Sequence, residues 1–403
     1  VDLLDPVIQP YAWGSHTAIA ELQGRPAPTV QPEAELWMGA HPSAPSVVER
    51  SGARTTLDAV IAADPAAELG APVAARFGGR LPFLLKILAA QTALSIQVHP
   101  SREQAVAGFA EESARGLRPG DKGRNYADDW PKPEILCALT PFEYLAGMRT
   151  TADAAQLLGA LEVPELEPLA AALAAAADPG VLTQTLTAIL TWPKAGQSGL
   201  VAGVVAGCER LVAGNGPYAA SCAAIVRIAG EHPGDLGVVG ALLLRHGVLQ
   251  PGQAIFLPAG GLHAYLHGTG VELLANSDNV TRAGLTPKHI DVRELLKLTD
   301  PAIAVPVLEP RPLGDGVAVY DSPAPEFRLY RAELGAGDVI LPGEGGPRVI
   351  LCTEGTGLLR AHSTERKATA LKVAKGESCY LAAADGSVTA SGPAALFIAA
   401  RGI

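Results

Sequence analysis

The stretch L-S-I-Q-V-H-P-S (94–101) alternates Leu94, Ile96 and Val98 with Ser95, Gln97 and His99. As a strand it turns three apolar side chains to one face and a hydroxyl, an amide and an imidazole to the other. A lone Q-x-H of this kind is best read as a half-exposed strand wetting its polar face. A second stretch weakens that reading. In H-A-Y-L-H-G, His263, Tyr265 and His267 share a face if the strand is regular. Between the two lies K-P-E-I-L-C-A-L, where Lys132 precedes Glu134 at the mouth of an apolar run. A carboxylate entering a buried strand needs a partner. Gln97, His99, Glu134 and His263 together offer two imidazole nitrogens and two oxygens. That set suits a borderline divalent ion such as zinc, with positions left for water or substrate. Lacking thiolate, it points to a catalytic rather than a structural site. Further on, G-V-E-L-L-A-N-S-D-N-V-T-R-A-G puts Glu272, Asn276, Asp278 and Arg282 on one parity, with a loop as the alternative from 276 onward.

The elements that must position these groups read as mainly β with a helical insertion. Residues 1 to about 100 hold short apolar runs broken by Pro and Gly, the punctuation of strands and turns. P-S-R-E-Q-A-V-A-G-F-A-E-E predicts a short helix with Ser101 as N-cap and Gln104 in its first turn. Residues 113–133 read as a charged loop, its Lys122 and Arg124 solvated rather than reaching the pocket mouth. From 150 to 230, Ala and Leu fall at helical spacing, which predicts a helical insertion serving as structural cover. Strand signals return over 231–310, with a short helix near 292–299. Residues 311–403 alternate apolar pieces with Gly-rich turns, as in a small sandwich or barrel.

Composition narrows the function. The chain has 403 residues, 48% apolar and 18% charged, with net charge −10. This is a globular composition, and its acidity argues against non-specific nucleic-acid binding. The start lacks the basic and apolar regions of a signal peptide, and no apolar run is long enough to span a bilayer. The five cysteines (Cys137, Cys208, Cys222, Cys352, Cys379) are scattered without C-x-x-C spacing. They read as buried free thiols in a reducing cytoplasm. No G-x-G-x-x-G opens a helix after a strand, so no nucleotide cofactor is implied.

Read in order, Y-A-W-G-S (11–15), E-L-W-M-G-A-H-P-S-A-P-S (35–46), L-P-F-L-L-K-I-L (81–88), L-S-I-Q-V-H-P-S, K-P-E-I-L-C-A-L, P-G-D-L-G-V-V-G-A-L-L-L, G-Q-A-I-F-L-P-A-G-G-L-H-A-Y-L and S-D-N-V-T-R-A-G-L-T-P-K-H-I-D-V form a specific set. Over residues 9–149 and 231–300 the chain resembles the type I mannose-6-phosphate isomerases. The resemblance implies cupin-type β-barrels of jelly-roll form with an inserted helical domain. On that pattern, 1–149 and 231–310 together build the catalytic barrel and 311–403 a second cupin-like domain. It implies interconversion of mannose 6-phosphate and fructose 6-phosphate, with one zinc ion on Gln97, His99, Glu134 and His263. It assigns Arg282 to the active site.

Aldose–ketose isomerisation moves a hydrogen between C2 and C1 through an enediolate, so it needs a base and fixed positive charge. Glu272 is the candidate base and Lys132 the candidate proton shuttle or electrostatic partner, with a metal-controlled hydride shift as the rival route. Trp13, Lys86, Ser95, Tyr265, Asp278 and Lys288 are candidate substrate contacts. His41, His267 and His289 read as structural. The expected partner is a sugar phosphate, without nucleic acid or membrane, for a cytoplasmic monomer. A non-catalytic sugar-binding module and a cupin metal oxygenase are the alternatives. One departure stands out: the family usually has Asn-His where this chain has Trp130-Pro131, which puts the loop before Lys132, and with it substrate preference, in question.

Overall fold

The computed structural model describes all residues except 51, 119, 122, 289, 336, 364–369 and 403. Its organising element is the run F-L-L-K-I-L-A-A, strand Phe83–Ala90, buried at every position. An uninterrupted apolar run needs cover on both faces. Leu85, Ile87 and Ala89 face one way, with Ile135, Cys137, Val271 and Leu273, and pack against Tyr320, Phe327, Val349, Leu351 and Phe397 of the C-terminal region. Leu88 and Ala90 face the other way, into a smaller core with Leu136, Phe142, Tyr144 and Tyr265.

Phe83–Ala90 pairs antiparallel with Glu35–Met38 on one side and with the second half of His263–Ala275 on the other. That half also pairs with Glu134–Ala138, which pairs in turn with Ala254–Leu257. The first half of His263–Ala275 belongs to a different layer. There it pairs with Phe142–Met148 and, at His263, with Ile96–Val98. One long strand thus bends across a sandwich and lines its interior from both sides.

The outer face of this second layer, including Ile96, Val98, Leu145, Ala264 and Ala283, is covered by the helical insertion. The insertion comprises Thr151–Ala160, Glu167–Ala175, Gly180–Leu190, Lys194–Ala213 and Ala219–Glu231. Ile96 and Val98 look out to the helices, so Gln97 looks into the sandwich. Burying such side chains contributes about 1.5–3 kcal/mol each.

Among the described residues the sheet around Phe83–Ala90 has eleven strands and the C-terminal sheet ten, and no ladder closes either into a ring. The architecture is mainly β with an inserted helical layer, its rolls open rather than sealed. The C-terminal sheet is built on the 15-residue strand Arg348–His362, paired with Ala394–Ala400 and Ser378–Leu381. Its outermost member comes from the opposite end of the chain: Asp2–Leu4 pairs with Ser378–Tyr380.

The helix predicted after Ser101 is Arg102–Ala114, with a full capping box between Ser101 and Gln104. The predicted short helix near 292–299 is Val292–Leu298. Strand-and-turn character fails over 57–76, where three short helices form. Asp64 caps the second, and prolines in the first turns of the second and third start them where no N–H is needed. The five cysteines are free and buried. Among the described residues no helix is long and apolar enough to cross a membrane.

Candidate active site and metal centre

Strand register brings the distant residues together. Gln97 sits opposite His263 on one side and Arg282 on the other. Glu272 sits opposite Lys86, which sits opposite Trp37. Glu134 opens its strand opposite Leu274. His99 follows the end of its strand, fixed by its carbonyl accepting from Gly260 N–H at 3.0 Å.

At the base of the site, His99 Nε2 lies 3.2 Å from Glu134 Oε1, and His263 Nε2 lies 3.5 Å from Glu134 Oε2. The Gln97 amide is 3.3 Å from His263 Nε2. Each imidazole is held by its other nitrogen: His99 Nδ1 donates to Asn279 O at 2.7 Å and His263 Nδ1 to Gly261 O at 3.0 Å. Both Nε2 atoms therefore carry lone pairs aimed at a carboxylate. Lys132 reaches Glu134 Oε1, but His99 Nε2 and Glu134 Oε2 are acceptors with no donor, and such acceptors repel one another. A divalent cation resolves the conflict, and the orphaned, buried His99 Nε2 and Glu134 Oε2 mark where it belongs. Ligand atoms of His99, Glu134 and His263 all fall within 4.8 Å of one another. A flip of the Gln97 amide presents its oxygen to the same point. Burial pushes His99 down to about 4 despite Glu134, which keeps it neutral and ready to ligate. Burial works against ionising Glu134, but Lys132 (Nζ to Oε1, 3.0 Å) and His99 hold it well below its ordinary value.

A second charged group occupies the adjoining wall. Lys86 Nζ is 3.3 Å from Glu35, 3.8 Å from Glu272 and 4.7 Å above the Trp37 ring. Trp37 Nε1 donates to Glu35 at 2.6 Å. Burial pulls the Lys86 pKa down, but Glu35, Glu272 and Glu134 together raise it above its ordinary value. Burial and the Glu134 carboxylate push Glu272 up to about 8, against the pull of Lys86. A carboxyl poised near neutrality is a fitting proton carrier.

These groups line one cavity of about 560 Å³. Its walls include every candidate substrate contact (Trp13, Lys86, Ser95, Tyr265, Asp278 and Lys288) together with Gln97, Lys132, Glu134, Glu272 and Arg282. His99 and His263 form the buried base beneath Glu134. Arg282 and Lys288 have no ion-pair partner among the described residues. The Lys288 pKa is lowered first by Arg282, so two cations stand side by side facing the cavity. Unpaired cations adjacent in an acidic chain call for an anion.

Tyr265 reaches the cavity but His267 does not: a register shift between them turns His267 to solvent. The regular strand expected there is interrupted. Arg124 spends its guanidinium on Tyr126 O and Ser113 Oγ, a structural role, while Lys122 and His289 lie outside the described residues. The Trp130-Pro131 departure leaves the cavity lining untouched. The Trp130 ring packs on Phe77 and beneath Arg80, away from the cavity, and its carbonyl accepts from Asn279 Nδ2 at 2.8 Å. Asn279 was not singled out by sequence. It accepts from Ala127 N–H, donates to the carbonyls of Asp128 and Trp130, and presents its own carbonyl to His99. One residue, by its side chain and its backbone carbonyl, thus ties the loop before Lys132 to His99. Tyr11, Glu35, Trp37, Thr92, His232 and Thr286 also reach the cavity unannounced. Glu35 and Trp37 stood inside a quoted motif, but only the fold shows that their strand faces the site.

Comparison with known proteins agrees with this geometry. The model of the phosphomannose isomerase type I catalytic domain matches residues 2–151. The mannose-6-phosphate isomerase of Salmonella typhimurium is 37% identical over 401 residues, covering 96% of this chain and 95% of that protein. The chain belongs to the mannose-6-phosphate isomerase family. The Escherichia coli mannose-6-phosphate isomerase is 36% identical over 389 residues, again covering 96% of this chain and 95% of the relative. Among solved structures, the K86A variant of the Salmonella typhimurium phosphomannose isomerase superposes with TM-score 0.91 at 34% identity, covering 100% of this chain and 99% of that one. A zinc-bound mannose 6-phosphate isomerase superposes with TM-score 0.89 at 34% identity and the same coverage. Family membership and the His99–Glu134–His263 cluster favour an isomerase over a bare sugar-binding module or an oxygenase.

Proposed function

We propose that this chain interconverts mannose 6-phosphate and fructose 6-phosphate, using one zinc ion held by Gln97, His99, Glu134 and His263. The observation that carries the reading is the pair of buried imidazole lone pairs converging on Glu134 beneath a sugar-sized cavity. When bound, zinc would polarise the sugar oxygens and offset developing negative charge. Arg282 and Lys288 bind the phosphate, Arg282 with its planar fork. Trp13, Ser95, Tyr265 and Asp278 wall the sugar.

Glu272 takes the proton from C2 of the open-chain aldose, leaving an enediolate. Lys132 supplies a proton to O1 and recovers one from O2, and Glu272 returns its proton to C1. Lys86, bonded to Glu35 and close to Glu272, restrains the rise in Glu272 pKa and keeps a usable fraction ionised. We read residues 1–149 and 231–310 as the catalytic unit, 150–230 as its helical cover and 311–403 as a second β unit. We read the working form as a monomer, and five free, buried thiols suit a reducing cytoplasm.

The test is direct. Purified protein should convert mannose 6-phosphate to fructose 6-phosphate, stop on chelation and resume with zinc. Turnover in heavy water should place solvent deuterium in the product. Tight sugar binding without turnover would favour a binding module, and oxygen uptake an oxygenase. Full activity in Glu272→Gln would remove the base assignment.

A further inference from the structure

His41 is 4% exposed and lies behind the cavity wall rather than in it. Its two nitrogens are differently engaged. Nδ1 lies 2.8 Å from Ser43 Oγ and accepts from Ser43 N–H at 3.3 Å. A nitrogen accepting a backbone N–H carries no proton, so in the neutral ring the proton sits on Nε2. Nε2 lies 3.4 Å from Asp278 Oδ1. The ring is held in place by an edge-on contact with Trp37, centroids 4.7 Å apart. Trp37 is itself pinned by Glu35.

Asp278 needs such help. Its backbone is fixed, N–H donating to Asp128 Oδ2 at 2.8 Å, but its side chain is 53% exposed and free to swing toward water. Burial alone would raise its pKa, and the His41 contact lowers it instead, so the carboxylate stays ionised. We propose that His41 is a positioning residue: with its tautomer set by Ser43, it aims the Asp278 carboxylate at the sugar hydroxyls. The inference rests on the reading of Asp278 as a substrate contact.

Asparagine and glutamine separate the two ends of the ring. His41→Asn keeps an acceptor near Nδ1 for Ser43 and loses the donor to Asp278. His41→Gln keeps a donor near Nε2. We expect His41→Asn to lower kcat/KM for mannose 6-phosphate about tenfold, the size expected for a lost charge-assisted hydrogen bond, and His41→Gln to recover most of it. In an Asp278→Ala background the two His41 variants should be equivalent, because the acceptor they differ over is gone. All are measured zinc-loaded, with denaturation midpoints taken alongside. Should the asparagine and glutamine variants differ by the same factor with Asp278 intact or replaced, or not differ with Asp278 intact, the positioning role is wrong. Should Asp278→Asn keep full activity, the reading of Asp278 itself fails and takes the inference with it.

Discussion

Lys86→Met is the sharpest probe of the buried charge system. Methionine preserves the length of the side chain and its packing on Trp37 while deleting the ammonium. Lys86 and both carboxylates it serves are almost fully buried, at 3.3 Å from Glu35 and 3.8 Å from Glu272. Removing one partner of a buried ion pair costs about 3–5 kcal/mol, because the surviving charge has neither water nor counter-ion. Glu35 keeps its hydrogen bond from Trp37 Nε1, worth about 1 kcal/mol, so the net loss should be about 3 kcal/mol. That is a large share of the roughly 5–15 kcal/mol that holds a domain folded. Urea denaturation of the zinc-loaded protein measures it as a lower midpoint at unchanged slope. Adding Glu35→Gln to Lys86→Met should restore much of the loss, since a neutral amide needs no counter-charge. Activity gives an independent reading. Lys86 lowers the Glu272 pKa, so its removal raises it further, and the acid limb of the rate profile should move to higher pH. A Lys86→Met protein as stable as wild type, or one that Glu35→Gln destabilises further, would refute the reasoning.

Arg282→Lys should raise KM for mannose 6-phosphate about tenfold or more with a smaller change in kcat, because an ammonium lacks the bidentate fork; steady-state kinetics checks it. Gly237→Ala would bring a methyl within 2.6 Å of Leu285 N and 2.7 Å of Gly284 Cα, forcing apart backbone next to the Arg282 strand. A loss of about 1–3 kcal/mol in stability and a raised KM are expected. Glu143 on Phe142–Met148 meets Arg227 of the insertion and His246 at 2.8 Å. Burial would raise its pKa, but His246 and Arg227 bring it below the ordinary 4.5. A depressed carboxylate pKa gives stability that is full above 4.5 and lost as pH falls through the folded-state value. Acid should therefore loosen helix Ala219–Glu231 first, by hydrogen exchange, and Glu143→Gln should remove that pH dependence.

The sequence was most legible where chemistry and period coincide. Alternation over 96–98 separated the face that meets the helices from the face that meets the cavity, although Leu94, expected on the outer face, lines the cavity because the strand begins only at Ile96. Glu134 at the head of an apolar run signalled a compensated charge. Legibility ended where tertiary neighbours decide. His267 has the parity of a site residue, but a register shift turns it away. Asn279 and His41 act through bonds to elements far along the chain, and nothing in their local sequence displays those bonds. Trp130-Pro131 looked like a change at the site. Its backbone carbonyl carries the contact that matters, and any residue supplies one. The helices of 57–76 were hidden because prolines that break strands also start helices.

The pairing of Asp2–Leu4 with Ser378–Tyr380 carries a consequence for biosynthesis. Asp2–Leu4 is made long before its partner Ser378–Tyr380, and the face of Phe83–Ala90 that Leu57, Ile61 and Val73 cover in part stays incomplete until Tyr320, Val349 and Phe397 emerge. A nascent chain therefore exposes apolar sheet surface until its C-terminal strands are made, a natural client for holding chaperones. Truncation from the C-terminal side should yield aggregates rather than a smaller working enzyme.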